Sequence, residues 1–284
     1  PAQPTGSVAE RLTVDHPLQP FSPVYTGEGE YFTYATEWQH AASGAPTATP
    51  LAAPALETPQ PLDLDDLHRF LRNTAQHFLG ERLKLRFDEA DDAPPETEPF
   101  ALSGLAAHHV RETLLAPLRR GHSGDEASMA IQAAGARLER SGQLPVGGMG
   151  RLALAPFVAE AQRTRQRWQI WQAADPQPEP PQELRLARQI GGQHYLIEDW
   201  QVGVHRLGHG ERLRLVLKTG DTRKGRVPHY TRLLTDWVAH LAINTAGLEC
   251  RSVVIAHDAT HQLPALPVDT AGSYLDAMLA GWRA

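Results

Sequence analysis

The pattern of apolar and polar positions changes its period once between Gly203 and Gly247. In the run ERLRLVLK, which begins at Glu211, leucines alternate with basic residues and a valine, so an extended chain would have one buried face and one basic face. From Thr231 onward, apolar residues recur at helical spacing, and Gly247 can end a helix in the left-handed conformation. A strand followed by a helix is typical of α/β proteins.

The remainder of the chain is predicted to be helical first and rich in strands afterwards. Apolar periodicity predicts helices at residues 63–85, 102–118, 125–140, 154–173, 231–246 and 271–282. Strands are predicted at 184–189, 195–200, 203–207, 212–218 and 252–257, with a short segment at 263–268 and a turn at 144–150. We therefore predict an α/β fold in which helices flank a mixed central sheet.

The first 60 residues differ in composition from the rest. Residues 16–23, HPLQPFSP, contain three prolines, which favour an extended path across another surface. Residues 41–60 are rich in Ala, Pro and Thr and predict a linker. The predicted domains are therefore 1–60, an extended segment with a linker, and 61–284. The residues predicted to bind a partner are Pro17, Phe21, Tyr25, Tyr34 and Trp38; stacking of the aromatic ones on bases is the alternative.

Composition limits the class of protein. No apolar run approaches the roughly 20 residues of a membrane span, and no signal peptide is visible, so we expect a cytoplasmic protein without a membrane partner. The single cysteine, Cys250, excludes an internal disulfide and a cysteine-based zinc site. Because the sequence opens at Pro1 without a methionine, we expect a piece of a longer polypeptide.

Positive charge is concentrated between Gly203 and Arg232. This stretch holds eight Lys and Arg residues against two carboxylates, in a chain of formal charge −6. Such a local field predicts an anionic partner, either a nucleic-acid backbone or an acidic surface of another subunit. The alternative is a solvated strand edge whose charges prevent aggregation. The residues predicted to contact nucleic acid are Arg206, Arg212, Arg214, Lys218, Arg223, Lys224 and Arg226.

Motifs for catalysis or cofactor binding are incomplete. Residues 220–227, GDTRKGRV, approach the phosphate-binding loop, but Arg226 and Val227 replace its lysine and its magnesium-binding hydroxyl, so ATP binding is not expected. His108 and His109 are adjacent on a predicted helix and point in different directions, which does not suit one metal ion. The two central strands are arranged as in a metal-dependent nuclease, which is the enzyme class that we consider, but the acidic residues that bind the metal in such a site are missing.

Several runs resemble a known family in the correct order along nearly the whole chain. They are HPLQPFSP at 16–23, the helix at 64–85, EPFALSGL at 98–105, Leu-Pro at 144–145 and WVAHL at 237–241. This chain resembles the C-terminal region of the RecC family, the gamma subunits of exodeoxyribonuclease V, the RecBCD helicase-nuclease. The resemblance implies that residues 1–60 follow a helicase-like region. It also implies that residues 61–284 form a degenerate PD-(D/E)XK, or restriction-endonuclease-like, fold.

The resemblance also assigns positions in the inactive site. Arg206 stands where the first metal-binding aspartate would be, Val216 replaces the second carboxylate, and Lys218 is kept. His109 and Glu112 fall near the helix that supplies a histidine ligand in active members. An arginine in place of an aspartate repels a divalent cation. The resemblance therefore implies no catalytic residues, no metal and no cofactor in this domain, with ATP and magnesium used by partner subunits.

The function implied is a non-catalytic DNA-handling and scaffold domain. It would act in duplex unwinding and strand splitting, Chi-regulated end processing and recombinational repair of double-strand breaks. Its implied partners are RecB-like and RecD-like subunits and DNA, as a duplex fork and a 3′ single strand. Two alternatives stay open: a pure subunit-docking module, or an active magnesium-dependent nuclease that recruits Glu112, Glu198 or Asp199.

Overall fold

A computed structural model of the chain describes residues 7–19, 22–25, 31–34, 61–85 and 102–283. The chain divides into two compact units, Pro1–Ala55 and Leu56–Ala284. In the first unit, helix α1 spans Val8–Leu12 and a 3-10 turn spans Pro23–Tyr25. None of the described helices is both long enough and apolar enough to cross a membrane.

The second unit begins with a helix that is broken where one continuous helix was predicted. Helix α2, Leu64–Arg72, starts after Asp63, whose side chain accepts a hydrogen bond from the Asp66 N–H. Asn73 leaves helical geometry, with φ −152° and ψ 81°, and its side chain accepts a bond from the Gln76 N–H. Asn73 thus caps a new helix, because its amide competes with the backbone for hydrogen bonds. Helix α3, Thr74–His77, follows, and then a π-helical turn at Phe78–Arg82.

Three helices follow and pack against one another. They are α4, Gly104–Arg119, α5, Gly124–Arg140, and α6, Gly148–Gln172. Helix α6 begins inside the predicted turn at 144–150, which ends at Gly147 with φ 69°. Gly150 lies so close to the carbonyl oxygen of Pro145 that a Cβ atom would overlap it. The connection between α5 and α6 is therefore tightly packed.

The strands form one mixed sheet and two hairpins. The five-stranded sheet has the order β1-β4-β5-β8-β9, in which only β5 and β8 are parallel neighbours. Strands β2 and β3 form a separate hairpin, as do β6 and β7. The strands are β1 Gln177–Pro178, β2 Gln182–Ile190, β3 Gln193–Gln201, β4 Val204–Arg206, β5 Arg212–Leu217, β6 Arg223–Lys224, β7 Val227–Pro228, β8 Cys250–Ile255 and β9 Thr260–Leu263.

Two further helices complete the unit: α7, Tyr230–Thr245, and α8, Val268–Arg283. Helix α7 connects β5 to the parallel strand β8 through the crossover that parallel strands require. The predicted strand segment at 263–268 is wrong, because β9 ends at Leu263 and α8 begins at Val268. The prediction of a mixed sheet flanked by helices is confirmed.

The sheet separates two apolar clusters. Leu213 and Leu215 of β5 pack into the cluster formed by α4, α5 and α6. Val204 of β4 and Cys250 of β8 belong to the other cluster, with α2, α7, α8 and the β2–β3 hairpin. The basic residues of β5 alternate with its leucines and therefore lie on the face toward α7.

Candidate nucleic-acid interface

The seven basic residues predicted to contact nucleic acid fall into three groups. The first, which we call the Glu179 cluster, consists of Arg206, Arg212 and Glu179. Arg206 Nε lies 2.7 Å from Glu179 Oε1, and Arg212 Nε lies 3.2 Å from Glu179 Oε2. The β4–β5 register places the two arginines opposite each other, and the Glu179 side chain is only 12% exposed. One largely buried carboxylate thus pairs with both guanidinium groups.

The second group, the Asp236 cluster, consists of Arg214, Lys218 and Asp236. Lys218 Nζ lies 2.6 Å from Asp236 Oδ2, and Arg214 Nη2 lies 3.7 Å from Asp236 Oδ1. The side chains of Arg214 and Asp236 are 11% and 5% exposed, because α7 covers this face of β5. Burial lowers the pKa of the Arg214 guanidinium, although Asp236 acts in the opposite direction. These groups stabilise the contact between sheet and helix.

The β4–β5 register separates Arg206 from Val216 and Lys218. Arg206 pairs with Arg212, and Val204 pairs with Arg214. Lys218 is six residues beyond Arg212, which is about 20 Å along an extended strand. The structure therefore brings Val216 and Lys218 to one face of β5 but leaves Arg206 at the opposite end.

Gly203 is the residue that lies beside this part of β5. The Leu215 N–H donates a hydrogen bond of 2.9 Å to the Gly203 carbonyl oxygen. Gly203 has φ +75°, and a Cβ atom there would approach the Leu215 carbonyl oxygen to 3.0 Å. Strand β4 itself begins at Val204, which pairs with Arg214, so none of its residues pairs with Val216.

The third group is exposed. Arg223, Lys224 and Arg226 lie on the β6–β7 hairpin, which we call the basic hairpin, at residues 223–228. Arg223 Nη2 donates a 2.9 Å hydrogen bond to the Arg226 carbonyl oxygen. In the part of the chain that the structure describes, none of these three cations forms an ion pair with a carboxylate. Their charge is available to an external anion.

Asp258 fixes the base of the basic hairpin. Its carboxylate accepts hydrogen bonds from the Thr222 N–H, the Thr222 hydroxyl and the Arg223 N–H, at 2.8, 2.8 and 2.9 Å. Burial acts to raise the pKa of Asp258, but these hydrogen bonds outweigh it and lower the pKa below the ordinary value. His261 Nε2 lies 2.9 Å from the Thr222 hydroxyl on the other side. The hairpin therefore projects from a buried, fully bonded threonine.

An aromatic residue that the sequence analysis missed lies beside the basic hairpin. Tyr230 begins α7, directly after the hairpin, and is 74% exposed. The His229 N–H donates a 2.8 Å bond to the Thr222 carbonyl oxygen, which fixes the chain on the side of Tyr230. The signal for Tyr230 was an aromatic residue four positions after Arg226, at the start of the predicted helix.

The acids considered for an active nuclease lie in three separate interactions. Glu112 of α4 bonds Arg119 and the Thr219 hydroxyl. Glu198 of β3 pairs with Arg185, whereas Asp199 accepts from the N–H groups of Leu64 and Trp200. Over the described residues, no three His, Cys, Asp or Glu side chains come together in a group that could hold a metal ion.

The predicted partner-binding residues lie in the first unit. Tyr34 is 90% exposed, whereas Pro17 and Tyr25 are half-buried. Tyr25 Oη lies 3.1 Å from Nδ1 of His16, and its ring meets that of Tyr31 edge to face. Phe21 and Trp38 lie outside the described residues.

Comparison with known proteins identifies relatives. The family model described as "RecC C-terminal domain" matches residues 59–284. The chain is 27% identical over 287 residues to "RecBCD enzyme subunit RecC" of Escherichia coli (strain K12), covering 97% of this chain and 22% of that protein. The Haemophilus influenzae protein of the same name is 28% identical over 109 residues, covering 36% of this chain and 10% of that protein.

A solved structure titled "Crystal structure of SSO0001" matches 60% of this chain and 73% of its own, with 13% identity and a TM-score of 0.25. The chain spans about a fifth of the length of the Escherichia coli relative, 22%. The family match covers the second unit from residue 59 to its end. The chain therefore belongs to the RecC C-terminal domain family.

Proposed function

We propose that this chain is a non-catalytic DNA-handling and scaffold domain of the gamma subunit of a RecBCD-type exodeoxyribonuclease V. Its relatives are subunits named for the RecBCD enzyme, which supports RecB-like and RecD-like subunits as partners. In this proposal the domain assists strand splitting, Chi-regulated end processing and recombinational repair in the cytoplasm. Any ATP or magnesium serves the partner subunits.

The sheet topology supports a degenerate PD-(D/E)XK fold for the second unit. Two antiparallel strands, β4 and β5, are followed by the crossover helix α7 and the parallel strand β8. Val216 and Lys218 then occupy the carboxylate-x-lysine positions on one face of β5. Strand β4, Val204–Arg206, contains no acidic residue, and none of its residues pairs with Val216. We infer that hydrolysis of DNA is not a function of this site.

The observation that carries the DNA-handling proposal is the contrast among the seven cations. Four of them are committed to Glu179 and Asp236, at distances of 2.6 to 3.7 Å. The three cations of the basic hairpin are exposed and have no carboxylate partner among the described residues. Exposed Lys and Arg side chains gain binding free energy from phosphates by releasing counterions. We therefore assign phosphate contacts to the basic hairpin.

A matched pair of triple variants tests this assignment. Arg223, Lys224 and Arg226 are changed to Ala in one protein. In the control, the exposed residues Arg137, Arg140 and Arg151 at the α5–α6 connection are changed to Ala, which removes the same charge. Fluorescence anisotropy with forked DNA should show a loss of at least about tenfold for the first variant and little change for the control. Equal losses, or no loss in either, would refute the hairpin as the DNA contact.

The active-nuclease alternative is tested with the unaltered chain. Linear DNA is incubated with the protein and magnesium or manganese, and the products are separated on a gel. We expect intact DNA. Cleavage that disappears in Lys218→Ala would establish catalysis and contradict the non-catalytic assignment.

We also assign subunit docking to the first unit. Leu18 is 99% exposed, Phe32 64% and Tyr34 90%, which is unusual for apolar and aromatic side chains without a partner. Pro17, Phe21, Tyr25, Tyr34 and Trp38 are the proposed contacts. Co-purification with RecB-like and RecD-like subunits should weaken on Tyr34→Ala, and DNA binding by the second unit should not change.

A further inference from the structure

We propose that Tyr230 and the basic hairpin form one binding site for single-stranded DNA, in which the phenol ring stacks on an unpaired base. This inference rests on the proposed phosphate contacts of Arg223, Lys224 and Arg226. It adds a named aromatic contact, because stacking on Tyr230 distinguishes a strand with accessible bases from a duplex.

The first argument is that the Tyr230 ring is free. It is 74% exposed, and no hydrogen bond, ion pair or ring contact joins it to another described residue. In contrast, the exposed Tyr274 of α8 contacts the Trp237 ring, with a centroid distance of 5.9 Å. Tyr230 is therefore a large aromatic surface that is open to solvent and accessible to a ligand.

The second argument is that the ring and the cations share one fixed frame. Pro228 pairs with Arg223 in the hairpin, and Tyr230 follows two residues later. The His229 N–H bonds the Thr222 carbonyl oxygen at 2.8 Å, and Asp258 holds the opposite side of Thr222. A DNA strand whose phosphates contact the basic hairpin thus lies within a few residues of the Tyr230 ring. Because the backbone of this segment is already fixed, little conformational entropy should be lost when DNA binds.

The third argument concerns the partner's chemistry. Proteins that bind single strands combine a basic surface with aromatic side chains, because every base has a face on which a ring can stack. Bases within a duplex are already stacked on each other and cannot cover the Tyr230 ring. The small cavity beside Lys218, of about 10 Å³, has room for one water molecule and cannot accept a base instead.

The test uses three probes of equal length: a 20-nucleotide oligothymidylate, a 20-unit abasic strand with phosphates but no bases, and a 20-base-pair duplex. The wild-type chain should bind the oligothymidylate more tightly than the abasic strand. Tyr230→Ala should lose roughly 5- to 150-fold on the oligothymidylate and nothing on the abasic strand. Tyr230→Phe, which keeps the ring, should bind as the wild type does.

The outcomes separate the two proposals. If Tyr230→Ala binds the oligothymidylate as tightly as the wild type, or loses equally on the abasic strand, stacking on Tyr230 is refuted while the phosphate contacts stand. If the triple hairpin variant binds the abasic strand as the wild type does, the phosphate contacts themselves are refuted. A thermal unfolding midpoint equal to that of the wild type confirms that Tyr230→Ala is folded.

Discussion

The ammonium group of Lys218 lies 2.6 Å from the carboxylate of Asp236, beneath helix α7. Asp236 also faces the guanidinium of Arg214, so one buried anion lies between two cations. Arg214 Nε and Nη1 have no hydrogen-bond partner in the described part of the chain. The two cations on this face of β5 therefore share a single carboxylate of α7.

Asp236→Asn should destabilise the domain by about 3–5 kcal/mol, because it leaves two cations on a covered face without a counter-charge. The measurement is urea unfolding followed by tryptophan fluorescence. Asp65→Asn, at a side chain that is 70% exposed, is the control and should change the free energy of unfolding by less than about 0.5 kcal/mol. Similar losses for the two variants would contradict the importance assigned to Asp236.

Asp258→Ala should weaken DNA binding without removing a cation, because it releases the Thr222 and Arg223 backbone groups that hold the basic hairpin. The lowered pKa of Asp258 sets the pH dependence of this contact. Its stabilisation is present above the unfolded carboxyl pKa of about 4 and is lost as the pH falls through the lower folded pKa. Hydrogen exchange of residues 222–229 at pH 7 should rise in Asp258→Ala; unchanged exchange would count against the anchor.

His240 predicts a second pH effect. Burial lowers the pKa of His240 to about 4; the Pro264 backbone carbonyl acts in the opposite direction, and the charge of Arg214 lowers the pKa further. Between pH 6.5 and 4, the imidazole of His240 is protonated in the unfolded chain but neutral in the folded chain. The free energy of unfolding therefore falls as the pH drops from 6.5 toward 4, by up to about 3 kcal/mol. His240→Gln should reduce this dependence in urea unfolding at pH 7 and 5. The exposed His194→Gln is the control, and identical pH profiles for both variants would exclude His240 as the source.

Gly150 and Gly148 form a matched pair in the first turn of α6. A Cβ atom at Gly150 would overlap the Pro145 carbonyl oxygen, whereas nothing lies within 4 Å of one at Gly148. Gly150→Ala should therefore cost at least about 2 kcal/mol, and Gly148→Ala should be neutral or slightly stabilising. Thermal unfolding of both variants measures the difference. A neutral Gly150→Ala would show that the connection relaxes easily.

The alternation in β5 predicted its two faces correctly, since the leucines are buried against α4, α5 and α6. It did not predict what lies opposite the basic face. The partner of the basic face is Asp236, which lies 18 residues after Lys218, within helix α7. In the sequence Asp236 appears only as one acidic residue within an apolar stripe. The basic patch was therefore identified by composition, but its division into paired and exposed cations required the packing of α7.

The register of β4 against β5 was also beyond the sequence pattern. The resemblance assigned Arg206 and Val216 to positions of the inactive site but gave no register, and the five-residue connection at 207–211 pairs Arg206 with Arg212. Turn length and geometry set register in antiparallel pairs, and alternation alone is the same for every even shift. The break at Asn73 was not predicted either. The apolar spacing continues through residue 73, but the Asn73 side chain caps a new helix there.

The salt dependence of DNA binding tests the central claim most directly. Binding of forked DNA is measured from about 50 to 200 mM salt for the wild type, for the Ala variant at Arg223, Lys224 and Arg226, and for Arg206→Gln with Arg212→Gln. The slope of log affinity against log salt is negative, and each lost phosphate contact reduces its magnitude by about 0.9. We predict a magnitude smaller by about 2–3 for the hairpin variant and an unchanged slope for the Glu179-cluster variant. An unchanged slope for the hairpin variant, with a reduced slope for the other, would contradict the account.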